Sequence, residues 1–454
     1  MAEGVFPQEM KQTVIRPVFK CGQTNNPENY RPIANVSTFS KIFEHVFVNR
    51  LLSFLFQNNL LCKEQFGFVR GKNTTNAMVE FAGNAINALD EKFKSLGVFI
   101  DLQKAFDCLD HSVLFNRLNM LGVRGVSLNW IKSFLLSRPQ SVKIKNSQSE
   151  KLEVNFGIPQ GSVLGPILFI LYINSLTTHF PHLQITMYAD DIALLFKEKT
   201  IDDLELNCFL QLSSLYQYLN SNNLHINPSK TKSISFTNRF TLNKNPLIFM
   251  NEFELPLESH CKYLGLVFDN KFTWAKHIDE LCSKVSSQLF LLSRFSKIQN
   301  HLLSRLIYTS LIETRLRYGI VLWGTASSTH FMRVFRLQKR AIRILAGVRR
   351  REPCKKFFQN FRILTLPALY IYEILMLYTF KLNSIQVGAD VHSYGTRARD
   401  LHRQAPHRLH LSAMLPHNIG PKLHNKLPRH IKLEANPKKF KIYLYDLLIE
   451  KACY

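Results

Sequence analysis

An α+β fold is expected from this sequence, on three observations. Short apolar runs bounded by turn residues mark strands through the first 275 residues, with MYADDIALLF the clearest. Apolar residues at helical spacing alternate with those strands. From about residue 276 onward the helical spacing takes over. At 454 residues the chain has room for roughly three domains. A hydrophobic fraction of 46% supports a sizeable core.

Residues 1 to about 95 open with TVIRPVFKCG and the polar loop GQTNNPENYRPI. Lys20 and Arg31 bracket that loop, either as a cation pair gripping phosphates or as two solvated surface charges. FSKIFEHVFVNRLLSFLF has apolar residues near helical spacing. The loop QFGFVRGKNTT then offers Arg70 and Lys72 to a phosphate backbone, and NTTNAMVEFAGNAINAL reads as a second helix. In GVFIDLQKAFDCLDH, the strand Val98–Ile100 ends on Asp101, and Phe106 follows five residues on. A strand end is a rigid base from which to aim a ligand. His111–Met120 reads as a helix with Asp110 as N-cap and Gly122 as its stop, so His111 is a helix-start residue rather than a base. A helix at Leu128–Leu136 and the strands VKIK and LEVNF lead to FGIPQGSVLGPILFILYIN. There Gly157 and Gly161 flank Pro159 and Gln160 in a stiff loop, and Ser162 is placed to cap a buried helix.

In the hairpin MYADDIALLF, Asp190 and Asp191 sit where two apolar runs meet. As turn formers they need no further role. As unpaired carboxylates beside a core they repel one another, and a divalent cation with a taste for hard oxygen ligands, such as Mg²⁺, would resolve the conflict. A helix at Leu204–Asn220 precedes NNLHINPSKTKSISF, which carries Lys230 and Lys232 near the start of a strand. KYLGLVFDNKFTW reads as another hairpin. In HFMRVFRLQKRAIRILAGVRRR, Arg333, Arg336, Arg340 and Arg343 share one helical face beside an apolar one, a basic surface suited to a phosphate backbone. A solvated face would ordinarily carry both signs. The tail from about 385 is His- and Arg-rich without metal-site spacing, and closes with an amphipathic helix.

The net charge of +25 points to a polyanionic partner, nucleic acid first and an anionic membrane surface second. The N-terminus lacks the order of a signal peptide. Val163–Ile173 and Ala368–Phe380 are too short for a bilayer and read as buried helices. The 8 cysteines form no C-x-x-C pair, so neither a zinc ribbon nor a disulfide framework is expected. A soluble protein of a reducing compartment, with no transmembrane segment, fits this composition.

Taken in order, NYRPI, QFGFVRGKNTT, FIDLQKAFD, GIPQGSVLGPILF, YADD, INPSKTK and YLGLVFD resemble the reverse transcriptases of non-LTR (LINE-like) retrotransposons, particularly the jockey-like arthropod group. LRYGIVLWG, LQKRAIRILAG and IGPKLHNKLP extend the resemblance over nearly the whole chain. It implies a right-hand polymerase: fingers at 1–95, palm at 96–275 with interleaved fingers segments, helical thumb at 276–384 and a basic C-terminal extension at 385–454. It implies that Asp101, Asp190, Asp191 and the carbonyl of Leu102 bind two Mg²⁺ ions, with Mn²⁺ as a substitute. Phe106 matches the bulky gate that excludes a ribose 2′-hydroxyl. Gln160 and Gly161 would contact the nascent base pair, Lys20 and Arg31 the triphosphate, and Lys230 or Lys232 would protonate pyrophosphate. The implied partners are an RNA template, a DNA primer or target DNA, and dNTPs, in the nucleus or cytoplasm. Protein partners are not legible. The family's N-terminal endonuclease is not expected within this chain, nor is an RNase H, as in a truncated copy or a gene-model fragment. The alternatives are an inactive relic that only binds RNA, and an RNA-dependent RNA polymerase, which Phe106 with YADD disfavours.

Overall fold

The computed structural model describes residues 3–238, 245–296, 301–381 and 401–451. The first part of the His- and Arg-rich tail, residues 385–400, lies outside these. Two strands, β1 (Thr13–Phe19) and β2 (Tyr30–Asn35), pair antiparallel, from Val14 opposite Asn35 to Phe19 opposite Tyr30. The helix α1 (Thr38–Gln57) buries Phe47, Val48, Leu51 and Leu55. It leaves Phe39, Ile42 and Val46 exposed. The next helix, α2 (Thr74–Asp90), is capped by Asn73, whose side chain accepts the Asn76 N–H at 2.9 Å. The strand β3 (Lys94–Ile100) ends one residue before Asp101.

The helix expected at His111–Met120 forms with those bounds as α3, and Asp110 accepts the N–H groups of Ser112 and Val113 at 2.7 and 3.2 Å. After α4 (Gly125–Leu135), β4 (Arg138–Ile144) pairs parallel with β1 and joins the N-terminal sheet. The apolar run in GPILFILYI becomes the buried α5 (Gly165–Ile173), whose Gly165 N–H is received by Ser162 Oγ at 2.8 Å. The paired-Asp hairpin is β5 (Gln184–Tyr188) and β6 (Asp191–Glu198), followed by α6 (Ile201–Ser221) and β7 (Lys232–Phe236).

The central sheet runs β7-β3-β6-β5, antiparallel throughout. Alternation along β3 divides the core. Leu96, Val98 and Ile100 join the apolar cluster that holds α5 and α6. Phe99 faces the opposite cluster, against Phe81 of α2 at 5.1 Å between ring centres. Because both faces are covered, these strands are written as continuous apolar runs.

A second hairpin, β8 (His260–Tyr263) and β9 (Leu266–Asp269), follows as expected. The Asp269 carboxylate accepts N–H groups from Lys271, Thr273 and Trp274, tightening the turn into α7 (Ala275–Phe295). This helix packs on α8 (Ser328–Ala346). Beyond them, α9 (Leu366–Lys381) packs against α10 (Pro416–His424) and α11 (Pro437–Lys451). One apolar cluster runs from α2 and β7 through α7 and α8 to Phe440, Leu444 and Leu448. The C-terminal segment also returns to the end of α2, where the Asp90 carboxylate accepts the Arg408 N–H at 3.0 Å and the Arg408 guanidinium donates to the Leu89 carbonyl at 2.8 Å. Among the described residues, no helix is long and apolar enough to cross a membrane.

Candidate active site

Tyr188 pairs with Asp191, leaving Ala189 and Asp190 as a two-residue turn with Ala189 at φ 56°. The β3–β6 register reaches Ile100 opposite Ile192, so its next step sets Asp101 beside Asp191. Three carboxylates separated by up to ninety positions therefore meet at one end of the sheet. Burial pushes the Asp191 carboxyl up to about 6, helped by the charges of Asp190 and Asp101, with Lys20 opposing. Burial and then Asp101 raise Asp190, against Arg31 and Lys20. Lys20 and Arg31, on the β1–β2 hairpin, thus act electrostatically on the carboxylates. Lys230 reaches Asp101 from the other side, Nζ to Oδ2 3.8 Å. A cavity of about 200 Å³ is lined by Asp101, Asp191, Lys230, Lys232 and Tyr263.

Among the described residues, no group of three or more His, Cys, Asp or Glu side chains is arranged to hold a metal ion by itself. Crowded hard-oxygen donors with raised proton affinity fit a divalent cation. Leu102 lies in a short pairing with Ile226 immediately after Asp101.

Phe106 occupies a turn, and its ring stacks on Phe169 of α5 at 4.7 Å and 28°. The Gly157–Gly161 loop is fastened beside it. Ile158 N–H donates to the Phe106 carbonyl at 2.8 Å, and His111 Nε2 lies 2.8 Å from the Gly157 carbonyl, so His111 is spent on structure. Gln160 donates through Nε2 to Asp107 at 2.9 Å, while burial raises the Asp107 carboxyl. The Gln160 carbonyl accepts the Ala34 N–H at 2.7 Å. At Gly161, φ is +122° and a Cβ would stand 2.7 Å from the Ala34 carbonyl oxygen, so glycine is required. Glu44 of α1, wholly buried, accepts the N–H groups of Val163 and Leu164 at 2.7 and 3.1 Å. It satisfies two free donors at the start of α5 and complements the helix dipole.

Several of the residues expected at nucleic acid have intramolecular partners. Lys72 is turned inward: its ammonium donates to the carbonyls of Lys63 and Gln65 and lies 4.6 Å from the Phe66 ring centre. Burial lowers its pKa. Arg70 beside it is exposed. On α8, Arg336 and Arg340 are exposed, but Arg333 pairs with Asp279 at 2.8 Å and Arg343 donates to the Glu352 carbonyl at 2.7 Å. Four arginines share a face, and two of them have intramolecular work. Lys232 pairs with Glu258 at 3.1 Å, leaving Lys230 as the lysine on Asp101.

Sequence patterns did not single out Gln65, Glu44 or Asp107. Asp107 carried a signal, an acid next to Phe106 in FIDLQKAFD. Gln65 and Glu44 carried none, because their partners lie 124 and 119 residues away.

The family model described as "Reverse transcriptase (RNA-dependent DNA polymerase)" matches residues 20–268. The chain belongs to the reverse transcriptase family. It is 31% identical over 352 residues to the probable RNA-directed DNA polymerase from transposon BS of Drosophila melanogaster, covering 75% of this chain and 39% of that protein. To the RNA-directed DNA polymerase from the mobile element jockey of the same species it is 30% identical over 356 residues, covering 76% and 38%. The chain thus spans less than two-fifths of these relatives. The resemblance to jockey-type elements is borne out, as is the right-hand α+β class. Among solved structures, apo telomerase from Candida tropicalis aligns with a TM-score of 0.43 and 13% identity, over 79% of this chain and 62% of that one.

Proposed function

We propose that this reverse transcriptase domain is the polymerase of a non-LTR retrotransposon, extending a primer 3′-hydroxyl with dNTPs on an RNA template. The observation that carries the proposal is the meeting of Asp101, Asp190 and Asp191 at one sheet end with Lys20 and Arg31 facing them. In this assignment the 1–95, 96–275 and 276–384 segments act as fingers, palm and thumb, with 385–454 as a basic extension.

Asp101, Asp190 and Asp191, with the Leu102 carbonyl, would hold the divalent cations, Mg²⁺ by preference and Mn²⁺ as a substitute. When bound, the cations supply activation of the attacking hydroxyl and neutralisation of the leaving pyrophosphate. Lys20 and Arg31 neutralise the triphosphate from the fingers side and orient it for in-line attack. Phe106, held against Phe169, fills the space beside the sugar where a 2′-hydroxyl would lie. Gln160, fixed on Asp107, and the exposed Gly161 backbone face the new base pair. Lys230 is the better placed proton donor, since Lys232 is engaged by Glu258. Arg70, Arg336 and Arg340 contact phosphates of the primer–template.

Primer extension on a poly(A)-tailed RNA with dNTPs and Mg²⁺ tests the proposal. Asp101→Asn and Asp190→Asn should each lower extension by about a thousandfold or more, while RNA binding stays near wild type. Either variant keeping above roughly a tenth of wild-type extension would remove these carboxylates from the chemistry.

A further inference from the structure

A segment between the first two helices lies against the paired-Asp turn. Phe66 N–H donates to the Met187 carbonyl at 2.8 Å, and Met187 N–H donates to Glu64 at 2.9 Å, so residues 64–66 extend the edge of the central sheet beside β5. Between them Gln65 is 1% exposed. Its Oε1 accepts two N–H groups, from Gly67 at 2.8 Å and from Ala189 at 3.0 Å. Those two donors fix which way the amide faces. Its Nε2 has no partner among the described residues. At Gly67 a Cβ would sit 2.4 Å from the Ala189 nitrogen, so this approach is open only to glycine. Lys72 straps the same segment through the Lys63 and Gln65 carbonyls.

The turn needs such a hold. Ala189 is a buried non-glycine residue at positive φ, in the first central position of a two-residue hairpin, where glycine is the relaxed choice. Its N–H points out of the β5–β6 ladder and would otherwise be a buried orphan. The next two residues are Asp190 and Asp191.

We propose that Gln65 is a positioning residue of the active site: its side-chain oxygen holds Ala189 in the left-handed conformation that aims Asp190 and Asp191. The proposal rests on the polymerase reading only for its kinetic consequence; the structural claim stands by itself. Gln65 touches neither substrate nor cation. Its removal lets the turn relax toward an ordinary backbone and misplaces the carboxylates by a fraction of an ångström to an ångström, enough to cost roughly a hundredfold in rate.

The test uses the full chain, with Gln65→Leu to delete the acceptor at similar volume. Expected are a kcat for dNTP addition down roughly a hundredfold with KM changed by less than about threefold. Mn²⁺ affinity, followed by paramagnetic resonance, should weaken by about fivefold or more, and the Ala189 and Gly67 amides should exchange at least about tenfold faster. Amides along β6 beyond Ile192 should keep their protection. Adding Ala189→Gly, which removes the positive-φ penalty, should recover kcat by about fivefold over Gln65→Leu alone; a purely packing role predicts no recovery. If Gln65→Leu loses protection throughout the sheet, Gly67→Ala decides, since it displaces the turn while keeping Gln65, and the same loss of Mn²⁺ affinity is expected. Unchanged Mn²⁺ affinity and unchanged Ala189 exchange overturn the proposal. Should the wild type extend no primer, the polymerase reading falls, and the metal-affinity and exchange measurements still decide the role of Gln65.

Discussion

Phe106 shows at the scale of one residue how the site divides between legible and hidden parts. Its ring stacks on Phe169, which fixes its direction and gives the proposed gate a stiff backing. Truncation to Val removes the steric block without touching a carboxylate, so GTP incorporation opposite cytosine should rise by roughly one to three orders of magnitude relative to dGTP. Single-nucleotide kcat/KM ratios read this directly, and an unchanged ratio assigns Phe106 to the core. The role expected of Phe106 came from the family resemblance, whereas the three aspartates were visible in the sequence because each sits where the local pattern already implies a strand end or a turn. Gln65 and Glu44 were not. Each accepts at least one backbone N–H from more than a hundred positions away, and nothing in the local pattern marks a Gln or Glu for that task.

Among elements, helices were the most legible, since a capping residue such as Asp110 prints its boundary. Strand pairings were less so, because register depends on which apolar runs meet in space. The basic helix α8 illustrates a further gap: the periodicity placed four arginines on one face, but only the structure separates Arg336 and Arg340 from the pair already engaged. Arg336→Gln with Arg340→Gln should flatten the salt dependence of duplex binding by about 0.9 per lost contact, whereas Arg333→Gln and Arg343→Gln should barely move it. A salt titration of primer–template affinity distinguishes the pairs. At the start of α7, His277 is 9% exposed and accepts the Val267 N–H at 3.4 Å, and burial lowers its pKa to about 4. In the unfolded chain the ring titrates near 6.5, so unfolding takes up a proton as acid is added. Stability from this group is present above pH 6.5 and is lost as pH falls through the window down to 4. Between pH 7 and 5 the loss should be about 2 kcal/mol, and His277→Phe should abolish that share of it in urea unfolding.

On the scale of the whole molecule, the C-terminal helices share the apolar cluster of the helical region and are tied back to α2 through Asp90 and Arg408. That closure was not legible, because a basic tail read alone offers charge and no partner. Asp90→Ala removes the acceptor of the Arg408 and Leu409 N–H groups. It should cost about 1 to 2 kcal/mol. The amides of α10 and α11 should exchange faster, while those of β3 and β6 should not. Equal acceleration across all four elements would show a global loss of stability instead. The charge of +25, by contrast, could be read from composition, and it fits a surface that meets phosphates along much of its extent.

The fit of Gly67 against the Ala189 nitrogen bears on inheritance as well as on catalysis. A mobile sequence leaves many daughters in a genome, and a daughter is usually scored as dead when a catalytic codon is lost. Any single-base missense change at codon 67 would add at least a Cβ where none fits, and the daughter would keep its three aspartates while losing their alignment. On the proposed role of this turn, such a copy would look intact to an inspection of YADD and yet extend a primer poorly. On the roles proposed for the three aspartates, codon 67 belongs beside codons 101, 190 and 191 when such copies are compared.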